Sequence, residues 1–162
     1  MRVLPLPLLI ALGLPAAALA GNQTADCMAQ ATTPAEQLAC VGKSSEACRS
    51  HLVDAQPALV AGCITDEVGW WRHRLMDAEA AMQARAEKLD VPYTKQIAEG
   101  APRLTDDFEA MRKAWASWAE KRCTFEAMAH RNSPRRMVYA IDCHLHLTAE
   151  QALYLEAAAK GK

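Results

Sequence analysis

Six cysteines, Cys27, Cys40, Cys48, Cys63, Cys123 and Cys143, constrain this chain more than any other feature. All six lie beyond an export-type leader, and an even count in an exported chain indicates three disulfides. Six cysteines allow fifteen pairings, and sequence alone does not choose among them. Neighbour pairing, Cys27–Cys40, Cys48–Cys63 and Cys123–Cys143, is the expectation, with the partners of the first four left open. Each bridge would close a short loop and stabilise by about 3 kcal/mol in the chain-entropy model. There is no C-x-x-C spacing, so neither a redox pair nor a zinc framework is indicated.

The leader is read from residues 1–20. Met1-Arg2 gives a positive start, Val3–Leu14 is apolar, and Ala16-Ala-Ala-Leu-Ala20 supplies small residues for cleavage after Ala20. The apolar run is shorter than the ~20 residues that a spanning helix needs. No cysteine follows directly to take a lipid, and no later stretch is apolar enough to span a membrane. The expected location is periplasmic or secreted. Removing Arg2 leaves 17 basic against 19 acidic residues, a net charge of −2. That balance gives no reason to expect a nucleic acid or an anionic membrane as partner. The remaining length suits one domain, with residues 21–62 as a disulfide-pinned N-terminal cap and 63–162 as a helical core.

The spacing predicts helices throughout and no strand of useful length. Thr33-Pro34-Ala35-Glu36 is a helix start, with Thr33 as cap and Pro34 in the first turn. Ser44 or Ser45 opens a second short helix, and Pro57 a third piece reaching Cys63. From Ile64 to Leu89, Val68, Trp71, Leu75, Ala78, Met82 and Leu89 mark one face of a long helix. Asp66 and Glu67 are read as acids at its start, and Asp90-Val-Pro92 ends it. Leu104, Phe108, Met111, Trp115, Trp118 and Phe125 mark the inward face of the next helix, capped by Thr105. Ser133-Pro134 opens the last helix, which Thr148-x-x-Gln151 restarts or continues. The expected fold is all-α: a small disulfide-stapled bundle with two long antiparallel helices, a C-terminal helix and a cap of short helices. Trp71, Trp115, Trp118 and Thr148 belong to its core motif.

Catalytic chemistry finds no carrier. There is no nucleophile elbow and no phosphate loop, and carboxylate pairs such as Asp106-Asp107 fall at helix starts. His144 and His146, two apart on a helix, point in different directions and do not suit one metal ion. No catalytic residue, metal or cofactor is assigned. The segment His130-Arg-Asn-Ser-Pro-Arg-Arg136 is the candidate contact. His130, Arg131, Arg135 and Arg136 would be displayed between two bridged cysteines, and fixed arginines suit carboxylates in a partner's cleft.

The spacing also resembles the LprI-type lysozyme-inhibitor family over roughly residues 48–155. Trp115, Trp118, Glu120 and Cys123 carry one part of the resemblance. Cys143, Leu147-Thr148, Ala152 and Leu155 carry another, and Cys63, Glu67 and Leu75 a third. Met76 stands where the family usually has asparagine, and Ala119 and Gln151 where it has arginine. The pair Cys27 and Cys40 is then an added staple. The resemblance implies a helical, disulfide-bonded envelope protein of a Gram-negative-type cell that binds a protein partner, a lysozyme, and inhibits it. The competing expectation is a structural or interaction module of the envelope, using its long helix faces and inhibiting nothing.

Overall fold

The structure, a computed structural model, describes residues 22–52 and 56–161. The leader and its cleavage point lie outside the described residues. The fold is all-α, with seven helices among the described residues: α1 (Gln23–Gln30), α2 (Pro34–Ala39), α3 (Lys43–Ser50), α4 (Pro57–Asp90), α5 (Thr94–Ala98), α6 (Leu104–Ala129) and α7 (Arg136–Ala159). A single 3₁₀ turn, Val91–Tyr93, follows α4. Three disulfides join Cys27 to Cys40, Cys48 to Cys63 and Cys123 to Cys143.

Helices α4, α6 and α7 form the bundle, and their contacts give the directions. The Asp90 carboxylate takes the Leu104 N–H, and Glu79 pairs with Arg112 at 3.7 Å, so α6 runs against α4. Glu120 meets His144 beside the Cys123–Cys143 bridge, so α7 runs against α6. Arg74 holds Glu156 and Arg85 lies against Gly161, so α7 runs parallel to α4. The α4–α7 seam is the centre of the core. Val60, Ile64, Val68, Trp71, Leu75 and Ala78 pack there with Leu145, Ala149, Ala152 and Leu155. Phe108 of α6 and Met28 and Cys40 of the short helices complete it.

Helix α4 starts earlier than the spacing suggests. Pro57–Cys63 is its first turns rather than a separate piece, because proline suits a first helical turn and an exposed Gly62 weakens a long helix by only about 1 kcal/mol. Glu67 is therefore a mid-helix residue and not a helix-start acid. Helix α6 starts at Leu104, and its cap is Asp90 across the connection. That carboxylate accepts from Leu104 N at 2.9 Å, Thr105 N at 3.1 Å and Thr105 Oγ1 at 2.8 Å. Thr105 is thus a capped residue and not the cap. Helix α7 starts at Arg136, with the Ser133 hydroxyl accepting from Arg135 N inside the preceding turn. It runs unbroken through Thr148, which is buried and caps nothing.

Trp118 is not a core residue. Its side chain is 50 % exposed, and Phe125 is 69 % exposed. The inner face of α6 is instead Thr105, Phe108, Trp115, Ala119 and Cys123, of which Trp115 is half-buried. The Cys123–Cys143 bridge brings the two backbones to a Cα–Cα distance of 5.4 Å. Only small side chains fit beside so close a crossing, so Ala119 faces Leu147 in a small second cluster and the indole one residue earlier turns outward.

Candidate functional site

The predicted contact segment is the turn that joins α6 to α7. Helix α6 continues past the bridged Cys123 to Ala129, and His130 N–H closes back on the Glu126 carbonyl at 3.3 Å. Ser133 N–H then donates to the His130 carbonyl at 2.8 Å, and Ser133 Oγ accepts from Arg135 N at 3.1 Å. The His130 ring stacks on Tyr139 with centroids 3.8 Å apart and planes at 21°. The turn is short, tied by its own hydrogen bonds and clamped at its base by the disulfide, so little ordering remains to be done on binding.

Arg131, Arg135 and Arg136 are all exposed on this turn. Among the described residues, no carboxylate lies within 4.0 Å of their guanidinium groups, although seven other ion pairs form elsewhere. Helix polarity does not explain two of them. Arg135 holds the N-cap position of α7 without a side-chain cap hydrogen bond, Arg136 is its first residue, and no acid occupies that first turn. A helix N-terminus carries a positive partial charge and disfavours cations. These arginines therefore work slightly against the stability of α7. Phe125, Met128, Met137 and Tyr139, all exposed, surround the turn. Arginines on a stiff turn, with exposed aromatic and thioether side chains beside them, match the composition of a protein-binding centre.

The other predicted residues are dispersed. Trp71 is fully buried and donates Nε1–H to Glu67 at 3.3 Å, while Thr148 lies in the α7 core face. His144 Nε2 lies 3.6 Å from Glu120, whereas His146 is exposed and reaches Asp142 at 3.9 Å, so the two imidazoles diverge. Among the described residues no group of three histidine, cysteine or acidic side chains converges as a metal site would.

A buried polar cluster was not foreseen. Glu67 is 2 % exposed, and its carboxylate accepts from Thr24 Oγ1 at 2.7 Å, Gly42 N at 2.8 Å, Ser45 N at 2.8 Å and Trp71 Nε1 at 3.3 Å. Gly42 and Ser45 open α3, so Glu67 caps that helix from α4. Thr24 and Ser44 complete the cluster reciprocally, each hydroxyl accepting from the other's backbone N–H. The cluster anchors α1 and α3 on α4. The signal was available: Glu67 lies between Ile64 and Trp71 on the apolar stripe itself.

Comparison with known proteins bears on what this scaffold is. A family model described as "Lysozyme inhibitor LprI" matches residues 48–155, which take in α4 to α6, most of α7, the basic turn and two of the three disulfides. A curated protein of Rhodobacter capsulatus, described as an uncharacterized 17.7 kDa protein in the puhA 5′ region, is 99% identical over 162 residues, with 100% of each chain covered. No solved structure matches the chain.

Proposed function

The chain belongs to the LprI lysozyme-inhibitor family, and from that premise we propose that it binds and blocks a lysozyme, using the basic turn between α6 and α7. The observation that carries this reading is the placement of Arg131, Arg135 and Arg136. They are exposed, they have no carboxylate partner among the described residues, and Arg135 and Arg136 stand where α7 would be better served by acids. Lysozymes cleave glycans with a pair of carboxyl groups across a cleft. A stiff turn presenting guanidinium groups complements such a cleft and obstructs it without any chemistry of its own.

Export is part of the proposal. The three disulfides favour an oxidising compartment, and residues 1–20 supply the leader. Periplasm is the compartment in which such a protein would meet a lysozyme attacking the wall. Among the described residues no helix is long and apolar enough to cross a membrane.

The test is inhibition of peptidoglycan lysis by a panel of lysozymes, using oxidised protein purified from the periplasm of an expression host. Dose-dependent inhibition is expected, and replacing Arg131, Arg135 and Arg136 together with alanine should weaken it more than ~tenfold. Equal inhibition by the triple variant would remove the turn from the contact. A second reading, an interaction module of the envelope without inhibitory activity, is favoured by the exposed apolar face of α6. Binding to no lysozyme in the panel would select it.

A further inference from the structure

Helix α6 carries two apolar faces, and the bundle uses only one. The outer face reads Leu104, Asp107, Met111, Ala114, Trp118, Lys121, Phe125 and Met128, and every one of these residues is exposed. The steps alternate three and four over the whole helix, which is the spacing of a coiled-coil seam. Ala110, Ser117 and Thr124, also exposed, flank it with small side chains that permit close approach. Arg122 lies over the Trp118 ring with its guanidinium carbon 5.3 Å from the centroid, so the indole is held at the surface.

We propose that this face is the interface of a homodimer, in which α6 packs antiparallel on α6 of a second copy. The charges select both the occupant and the direction. The seam has an acid near its start, Asp107, and bases near its end, Lys121 and Arg122, and among the described residues none of the three has an ion-pair partner. A parallel pairing would set Asp107 against Asp107 and Lys121 against Lys121. The antiparallel pairing instead sets Asp107 opposite Phe125 of the second copy, within one helical turn of Lys121 and Arg122, whose long side chains span that distance, twice by symmetry. Sizes agree with the same register. Trp118 falls opposite Ala114, and Leu104 opposite Met128, so each large side chain meets a small or adaptable one. A surface that complements itself in charge and volume about its midpoint is what an isologous two-fold contact requires.

The experiment is sedimentation equilibrium of the oxidised chain purified as above, over a range of concentrations. A monomer–dimer equilibrium is expected, with Trp118→Ala weakening association by at least ~tenfold, as for a central aromatic anchor. Asp107→Lys should weaken it similarly, and Lys121→Asp added to Asp107→Lys should restore it. These side chains are exposed in the monomer, so thermal melts should leave the fold unchanged. Protein that stays monomeric at every concentration overturns the proposal. So does a dimer indifferent to Trp118→Ala and Asp107→Lys, or one that the charge exchange fails to restore.

Discussion

Glu67 places a carboxylate among four donors and no cation, at 2 % exposure. Three donors converge on Oε1 and one, Ser45 N, on Oε2. An acceptor-only group suits that arrangement. Glu67→Gln keeps the shape but must turn its NH2 toward at least one donor, setting N–H against N–H in a site nearly closed to solvent. Leaving a buried donor unmet costs about 1–3 kcal/mol. Glu67→Gln should therefore lower the unfolding free energy by about 2 kcal/mol in urea titrations, and a change within the scatter of the measurement would show that the cluster relaxes. The place of Glu67 on the apolar stripe signalled its burial, but not this role. An acid beside Asp66 reads as helix-start charge until the helix is known to begin ten residues earlier, at Pro57. A partner set drawn from Thr24, Gly42, Ser45 and Trp71 has no local spacing to betray it.

At the scale of the element, what was legible is what the chain decides locally. Thr33-Pro34-Ala35-Glu36 opens a helix with Thr33 as its cap, as its residues suggest; the structure adds the reciprocal half of a capping box, Glu36 accepting from Thr32 N, Thr32 Oγ1 and Thr33 N at 2.7, 2.9 and 2.9 Å. The hydrogen bonds from Thr32 and then Thr33 hold its pKa down to about 2, from an ordinary 4.5. Asp90 is lowered by the same cause, chiefly the Leu104 N–H, as cap of α6. A depressed carboxylate contributes stability that is complete above its unfolded pKa and is lost as pH falls through its folded one. The melting temperature should therefore fall between pH 4.5 and about 2, and Glu36→Gln should flatten part of that slope; an unchanged acid limb would mean that α2 is not coupled to global unfolding. Helix α6 marks the opposite limit. Its periodicity is plain, but two stripes coexist on it, and hydrophobicity favours the wrong one. Trp118 and Phe125 offer far more apolar area than Ala119 and Cys123, yet closeness to α7 at the disulfide demands the small pair. Which face turns inward is set by the neighbour, and the neighbour is not written in the helix.

At the scale of the whole molecule, the short helices α1 to α3 are fastened to the bundle in two ways, each able to back up the other. One is covalent, Cys48 of α3 to Cys63 of α4. The other is polar, the Glu67 cluster one turn further along α4. Apolar burial adds Met28 and Cys40 against the α4–α7 seam, a small area for three short helices. The bridge is worth about 3 kcal/mol, and the cluster a comparable amount through the donors that it satisfies. Removing either fastening should leave α1 to α3 docked, because the other still holds α3 against α4. Removing both, with Cys48→Ser, Cys63→Ser and Glu67→Gln, should release them and lay bare Ile64 and Trp71, now fully buried. Limited proteolysis read by mass spectrometry separates the cases. Cleavage within residues 22–52 should rise sharply only in the triple variant, while the α6–α7 hairpin stays protected by its own bridge. If cleavage in the triple variant merely equals the sum of the two partial variants, the fastenings act independently of each other. The short helices must then be held chiefly by Met28 and Cys40 in the core.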